Sequence, residues 1–358
     1  MFEKLAKEIS KLLNAQSSAE ERQLPWHQDV VGRLSNVKTF EDLLDGLAAL
    51  DGLTCAYITS ELSRYSPTVK IADQKDRSAA VLGRAGMLFE VYRRVLVAAV
   101  ATVASPKSDL GAVAGRITID EAAAKANKDV RDFLLGVRGF VLLSLWVASR
   151  SPVGAQLVTD LAQSNAAIMI RIFYKEEPAS LLAFVAGPGA YAKSAPRTGE
   201  DIRGRTEPIT NSSGAPSQLG APVWLTEQSA GELEAASFKY QTADQALAKI
   251  LTGSISFTRD RAPFYTPARI ELLHELIHVL HNARGSNREK VMTLTEDEQR
   301  AFKDAEEYWT VAGGTISENA FNAVIGAPER WGHSGLMLTS LDPSSKEAGH
   351  SLRELAGF

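Results

Sequence analysis

The stretch Thr266-Pro-Ala-Arg-Ile-Glu-Leu-Leu-His-Glu-Leu-Ile-His-Val-Leu-His-Asn-Ala-Arg-Gly285 predicts the helix around which the rest of the sequence is interpreted. Thr266 and Pro267 are residue types that favour the first positions of a helix, whereas Gly285 favours its end. The apolar residues between them recur at the spacing of one helical face: Ile270, Leu273, Leu276, Ile277 and Leu280. We therefore predict an amphipathic helix over about 267–284, with one buried side.

The middle of this helix holds the motif His274-Glu-Leu-Ile-His278. Residues four apart lie on the same face of a helix, so both imidazoles can reach one ion. Glu275 then lies beside the open position of that ion, where a carboxylate acts as a general base. The motif predicts a zinc site with His274 and His278 as ligands and Glu275 as the catalytic base. The alternative is two surface histidines beside an ion-pairing glutamate. The apolar neighbours, however, would bury both imidazoles, and buried imidazoles that lack a metal or hydrogen-bond partners carry a desolvation cost.

A third ligand is needed, because zinc in a hydrolase usually takes three protein ligands and leaves one position for water. The arrangement H-E-x-x-H-x-x-G-x-x-H is excluded, since His281 and Arg284 occupy its glycine and last histidine positions. We expect His281 to support a ligand or to act as a cation at the C-terminal end of the helix. A carboxylate is the better candidate for the third ligand.

The next helix is predicted over about 295–312, because Thr295-Glu-Asp-Glu298 has the pattern of a capping box. At about 100° per residue, Glu306 borders the apolar face of this helix, whereas Glu307 points away from it. We therefore expect Glu306 to be the third ligand, and Glu307 to be solvated or to contact a ligand from outside. The alternative is that both glutamates are surface charges on an amphipathic helix.

These segments also carry a family resemblance. The residues His274-Glu-Leu-Ile-His-Val-Leu-His-Asn-Ala-Arg-Gly285, followed by Glu306-Glu-Tyr-Trp-Thr-Val-Ala-Gly-Gly314, resemble the zinc core of clostridial neurotoxin light chains. They resemble even more closely the secreted effector metallopeptidases of plant and animal pathogens, although Ala312 is an extra residue before the glycine pair. The resemblance covers about 254–335 and implies a zincin-like (gluzincin) catalytic domain that binds Zn²⁺ through His274, His278 and Glu306.

Two downstream segments, Ile316-Ser-Glu-Asn319 and Pro328-Glu-Arg-Trp-Gly-His333, are also similar to the effector family. Light chains carry an Arg-x-x-Tyr pair that stabilises the oxyanion, and the matching positions here are Arg330 and His333. A histidine thus replaces the tyrosine, but arginine and histidine can both donate hydrogen bonds to a developing oxyanion. The alternative is that Arg330 forms a surface ion pair and that His333 is an ordinary loop residue.

The composition excludes several classes of protein. The chain has 358 residues, of which 45% are hydrophobic and 23% charged, as in globular proteins. A net charge of −4 provides no basic excess for binding nucleic acid or a membrane surface. The single cysteine, Cys55, excludes an internal disulfide and a cysteine-based zinc site. The apolar runs 95–104 and 133–148 are shorter than the ~20 residues of a membrane-spanning helix, so we expect them to be buried helices.

We expect an α+β fold that is mostly helical and begins with a mainly helical N-terminal domain of unknown role, over 1–186. Residues 187–222 hold six glycines and five prolines, and we expect them to form a loop or linker. The expected zinc metallopeptidase domain follows over 223–358. Individual elements are predicted as helices at 39–50, 76–104, 119–150, 241–250, 316–325 and 344–356, and as strands at 167–174, 181–186, 223–225 and 254–258.

Together these features predict a zinc-dependent endopeptidase in which Glu275 activates a zinc-bound water and Arg330, with His333, stabilises the oxyanion. The partner would be a protein or peptide substrate, and the resemblance implies a host signalling protein. The first residues lack the apolar core of a signal peptide, so we expect no classical secretion. The resemblance to secreted effectors implies export into a host cell by a specialised secretion system, and the alternative is a cytoplasmic protein.

Two alternatives to this function stay open at this point. One is a housekeeping intracellular peptidase that acts on small peptides. The other is a non-catalytic binding protein with a structural zinc, for which His281 would be the obvious fourth ligand. The N-terminal region would serve partner recognition, delivery or autoinhibition, or would simply complete the fold. The sequence assigns no role to His350 and no oligomeric state.

Overall fold

The computed structural model describes residues 2–63, 75–100, 108–119, 121–126, 128–164, 168–172, 182–186, 205–208, 247, 251–284, 293–302, 304–333 and 335–341. The predictions for 223–225, 344–356 and His350 lie outside these residues, as does nearly all of 241–250. Over the described residues, the structure is mostly helical with a small antiparallel sheet and a four-stranded mixed sheet, which confirms the α+β class.

Helices account for most of the N-terminal part of the chain. They are α1 (Phe2–Gln16), α2 (Pro25–Ser35), α3 (Phe40–Leu62), α4 (Lys75–Val100), α5 (Asp109–Ala114), α6 (Glu121–Ala126), α7 (Lys128–Ala148) and α8 (Pro152–Ser164). Helix α3 begins with a capping box, in which Thr39 and Asp42 each bind the other's backbone N–H. The apolar run of α7 is almost entirely buried among its neighbours, as predicted. Among the described residues, no helix has the length and apolar content to cross a bilayer.

Two sheets accompany the helices. The first has the order β1 (Ile117–Ile119), β2 (Ile168–Ile172), β3 (Leu182–Ala186) and β4 (Arg205–Pro208), with only the β2–β3 pair antiparallel. The second is antiparallel and has the order β6 (Pro263–Thr266), β5 (Ser254–Phe257) and β7 (Leu336–Met337). Strand β4 falls within the segment predicted as a loop, 187–222, so the four described residues of that segment are a strand instead.

The histidine motif lies on α9 (Ala268–Ala283), close to the predicted bounds. The predicted helix over 295–312 is wrong as one continuous element. It is divided into α10 (Glu296–Phe302), α11 (Ala305–Tyr308) and a π-helical turn (Trp309–Gly313), and α12 (Glu318–Val324) follows. The division occurs because Asp304 adopts an extended conformation and its carboxylate accepts the backbone N–H of Glu307 at 2.9 Å, which starts a new helix.

Helix α9 packs against elements that precede it in the chain and against α12, which follows it. Helices α7 and α8 and strands β3 and β4 contact it, and α3 packs along β6, the strand that leads into it. Most of the buried apolar residues form one cluster that runs from Leu5 to Leu341. The boundary between two domains stays a prediction, because most of 187–222 lies outside the described residues.

Candidate metal centre

The side chains of His274 and His278 meet on the buried face of α9. Both residues are less than a tenth exposed, and their Nε2 atoms lie 3.1 Å apart. Their rings are nearly perpendicular, at 76°, with centroids 4.7 Å apart. The four-residue spacing therefore brings two imidazole nitrogens to one point, as the sequence predicts. Glu275 is buried beside them on the same helix.

A carboxylate from α11 completes a triangle with these two nitrogens. Glu307 Oε2 lies 3.4 Å from His274 Nε2 and 3.3 Å from His278 Nε2. Ligand atoms that surround a tetrahedral zinc ion at about 2.0–2.1 Å are separated from one another by about 3.3 Å. The three separations fit one ion of this size. Among the described residues, His274, His278 and Glu307 are the one group of three or more whose ligand atoms are close enough to share an ion.

The positions of the two neighbouring glutamates are the reverse of those expected. Glu307, expected to point away, is 13% exposed and faces both Nε2 atoms. Glu306, expected to be the third ligand, instead lies behind His278, with Oε1 at 3.0 Å from Nδ1. The reason is the break at Asp304, because the regular helical phase assumed from Phe302 onward does not continue into α11. The pattern Asp304-x-x-Glu307 is itself a helix-start signal that marks this break in the sequence.

Glu306 accepts hydrogen bonds from several donors around the second imidazole. His281 Nδ1 lies 2.6 Å from Oε1, and the Thr310 hydroxyl lies 3.4 Å from it. A carboxylate only accepts, so the Nδ1 atoms of His278 and His281 carry protons. A proton on His278 Nδ1 leaves the lone pair of its Nε2 directed at the triangle. His281 therefore contacts Glu306 and is not in the triangle. Its expected role in supporting a ligand stays a prediction.

Glu318 contacts the outer nitrogen, Nδ1, of His274 as Glu306 contacts that of His278. No role was assigned to Glu318 from the sequence. It is fully buried at the start of α12, and its Oε2 lies 2.9 Å from His274 Nδ1. Arg330 Nη1 contacts both of its carboxylate oxygens, at 3.0 and 2.8 Å. Burial opposes ionisation of Glu318, but Arg330 and His274 outweigh it and lower its pKa to about 2. The segment Ile316–Asn319 is notable in the sequence only for its similarity to the effector family. An acidic residue in the first turn of a helix is a common feature, so Glu318 itself gives no signal of this contact.

The loop after α12 brings His333 to the same place. Its backbone N–H donates to Ala301 O at 2.9 Å, and Gly332, with φ of +105°, makes the turn that this requires. His333 Nε2 lies 3.5 Å from Glu307 Oε2, and its ring centroid is 6.0 Å from that of His274. Arg330 is tied to Glu318 and to the carbonyl oxygen of His333. The oxyanion role expected for Arg330 and His333 stays a prediction.

The electrostatics of the cluster favour a positive charge between the imidazoles. Burial disfavours the charged form of His274, but its hydrogen bonds with Glu307 and Glu318 raise the pKa to about 9. The same balance, with Glu307 and Glu306 as the anions, raises the pKa of His278 well above its ordinary value. Although burial opposes it, the charges of His333 and His278 hold the pKa of Glu307 well below its ordinary value. Protons and a metal cation would therefore compete for the same nitrogens.

Comparison of the chain with protein-family models, with curated proteins and with solved structures gave no match.

Proposed function

We propose that this protein is a zinc-dependent endopeptidase with a zincin-like catalytic core, in which His274, His278 and Glu307 hold the ion. The observation that carries the proposal is the triangle of ligand atoms, whose sides of 3.1, 3.3 and 3.4 Å match one tetrahedral zinc ion. The carboxylates behind the imidazoles support it further, because such partners orient metal-binding histidines and raise their basicity.

Zinc in this position would lower the pKa of a water molecule and polarise a peptide carbonyl. The residues of the chain do the rest. Glu275 takes the proton from the attacking water and then passes it to the leaving amine. Glu306 and Glu318 hold the two imidazoles in the tautomer that directs Nε2 at the ion. His333 lies next to Glu307 and is therefore the better-placed candidate for stabilising the oxyanion. Arg330 instead donates hydrogen bonds to Glu318.

A structural zinc in a non-catalytic protein is the competing proposal. Structural sites normally have four protein ligands and no position for water. His281 was the obvious fourth ligand, but its Nδ1 is engaged with Glu306 at 2.6 Å. Within the part of the chain that the structure describes, the ligand group has three members. Three ligands with a glutamate next to the first histidine favour the catalytic proposal.

The substrate and the place of action are proposed from the resemblance to secreted effectors. We expect a protein substrate in a host cell, reached through a specialised secretion system. A housekeeping peptidase would instead prefer short peptides. Digestion of a peptide library, compared with digestion of a host-cell lysate, separates the two: preference for one or a few folded lysate proteins supports the effector proposal, and general cleavage of short peptides supports the alternative.

Replacement of Glu275 by glutamine tests the catalytic proposal. Glu275→Gln should retain one zinc per chain and lose cleavage, because the ligands remain while the base is removed. Glu329→Gln is the matched control, since Glu329 is exposed and should leave both properties unchanged. His274→Ala should lose the metal. Full proteolysis by Glu275→Gln, or a wild-type protein that takes up no zinc, would contradict the proposal.

A further inference from the structure

Two arginines flank the histidine motif on α9, and each binds a carboxylate from the N-terminal helices. At the first turn, Arg269 Nε lies 2.6 Å from Asp51 Oδ2 of α3. Tyr92 of α4 donates its hydroxyl to the other oxygen of the same carboxylate. Asp51, Tyr92 and Arg269 are each at most 3% exposed. The beginning of α9 is therefore fixed by a buried charge pair to two helices of the first hundred residues.

The other end of α9 is held in the same way by a second pair. Arg284, directly after the helix, makes two parallel contacts with Asp160 of α8, at 3.0 and 2.9 Å. Such a bidentate pair fixes orientation as well as distance. Gln156 donates to Asp160 at 2.7 Å and holds the carboxylate in place. The motif thus lies between two arginines that both bind the N-terminal helices.

Helix α3 also contacts the two segments that neighbour α9 at the metal centre. Thr59 accepts the N–H of Tyr265 at 3.1 Å, and the Cys55 thiol donates to Tyr265 O at 3.1 Å, so α3 holds the strand that leads into α9. Gly52, next to Asp51, packs on Ile325 at the end of α12, where an added Cβ would lie 2.8 Å from the carbonyl oxygen. Helix α12 carries Glu318, which orients His274.

We propose that Asp51 and Asp160 are positioning residues of the metal centre: they fix the two ends of α9, and thereby the placement of both Nε2 atoms relative to Glu307. The proposal rests on the proposed function. The proposal is founded on geometry. The three ligand atoms belong to two separate elements, α9 and α11, whose relative position depends on packing. A metal site tolerates little error in the placement of its ligand atoms. The N-terminal helices are then part of the catalytic unit and not an inhibitor of it.

The pair Asp160–Arg284 provides the sharper test. Arg284 is 40% exposed, so we expect its replacement to be compatible with folding. The variants are Asp160→Arg, Arg284→Asp and the double variant in which the charges are exchanged, all in the full chain. Zinc affinity is measured by competition with a chromophoric chelator, ligand geometry by the visible spectrum of bound Co²⁺, and activity as separate kcat and KM on a cleaved peptide.

Each single variant should bind zinc about tenfold more weakly, in the range found when groups that support metal ligands are lost. It should also show an altered Co²⁺ spectrum and a lower kcat at an unchanged KM. The double variant should recover most of the affinity and kcat. Asp45→Asn is the matched control, because it breaks an equally well-formed bidentate pair, with Arg150, that does not touch α9. It should leave all three measurements unchanged.

Asp51→Asn tests the buried pair at the beginning of α9, and circular dichroism checks that the variant folds. We expect weaker zinc binding, an altered Co²⁺ spectrum and a lower kcat, as for the variants of Asp160–Arg284. If Asp160→Arg does not fold, Arg284→Lys keeps the charge, loses the bidentate geometry and provides the same measurements. If the folded single variants keep wild-type zinc affinity, Co²⁺ spectrum and kcat, this inference is overturned while the proposed function stands. The same holds if the double variant has no higher zinc affinity or kcat than the single variants, or if a single variant gains activity. A wild-type chain that takes up no metal would overturn the proposed function as well.

Discussion

Replacement of Glu307 by glutamine tests which of two adjacent carboxylates is the third ligand. Glutamine keeps the shape of the side chain but removes its charge, so packing is preserved while the ligand is weakened. Glu307 Oε2 is 3.3–3.4 Å from both Nε2 atoms, whereas Glu306 Oε1 is 3.0 Å from the outer nitrogen, Nδ1, of His278. The two substitutions are chemically identical and differ only in which side of the imidazoles they affect.

The expected magnitudes differ enough to decide between the two glutamates. Zinc binds to four-ligand peptide sites with about 10–16 kcal/mol, so one ligand contributes roughly 3 kcal/mol, or about 10²–10³ in Kd. Glu307→Gln should therefore weaken zinc binding by about 10²–10³-fold. Glu306→Gln should weaken it by about tenfold, because the amide oxygen still accepts the hydrogen bond from His278.

The assay is competition for zinc between each purified variant and a chelator of known affinity, with the Co²⁺ spectrum as a second measurement. Glu307→Gln should shift the visible bands, since one oxygen ligand is changed, whereas Glu306→Gln should leave the band positions nearly unchanged. The reasoning is refuted if Glu306→Gln loses more zinc affinity than Glu307→Gln.

The remaining predictions concern stability, through two glycine substitutions and through pH. Gly52→Ala should destabilise the protein by about 1–3 kcal/mol, because the new Cβ would lie 2.8 Å from Ile325 O; Gly32→Ala, with no atom within 4 Å of its Cβ, should stabilise it by about 0.5–1 kcal/mol. Urea unfolding measures both, and equal effects would contradict the close packing of α3 on α12. The metal-free protein should lose stability as pH rises from 6.5 towards 9, because the pKa of His274 is about 9 in the folded state against 6.5 when unfolded. The stabilisation that His274 provides is fully present below pH 6.5, where it amounts to about 3 kcal/mol. The pKa of Glu318, about 2 against 4.5, makes a contribution that is present above pH 4.5 and is lost as pH falls towards 2. Unfolding of chelator-treated protein at several pH values measures both, and a stability that does not change between pH 6.5 and 9 would contradict the first.

The helix that carries the motif was predictable because its signals are local. End-forming residues, an apolar face and the spacing of His274 and His278 all lie within one short segment, and the structure places α9 within about a residue of the predicted bounds. The capping box at Thr295 is confirmed as well, with the N–H of Thr295 on Glu298 Oε2 at 2.8 Å.

The directions of the Glu306 and Glu307 side chains were predicted wrongly because errors in helical phase accumulate along a helix. Side chains advance by about 100° per residue only while the helix is unbroken, and Asp304 breaks the helix between Phe302 and Glu306. Glu318 lies 44 residues from His274 in the chain, so only tertiary packing brings them together. The charge pairs of Asp51 and Asp160 with α9 span still longer distances in sequence.

The π-helical turn after α11 has a consequence for how this segment tolerates changes in length. Its hydrogen bond runs from Gly314 N–H to Trp309 O, five residues back, at 2.9 Å, and such a turn contains one residue more than an α-helical turn. Ala312 falls inside this turn. We therefore expect deletion of Ala312 to convert the turn to an α-helical one and to leave the register of α12 and Glu318 unchanged.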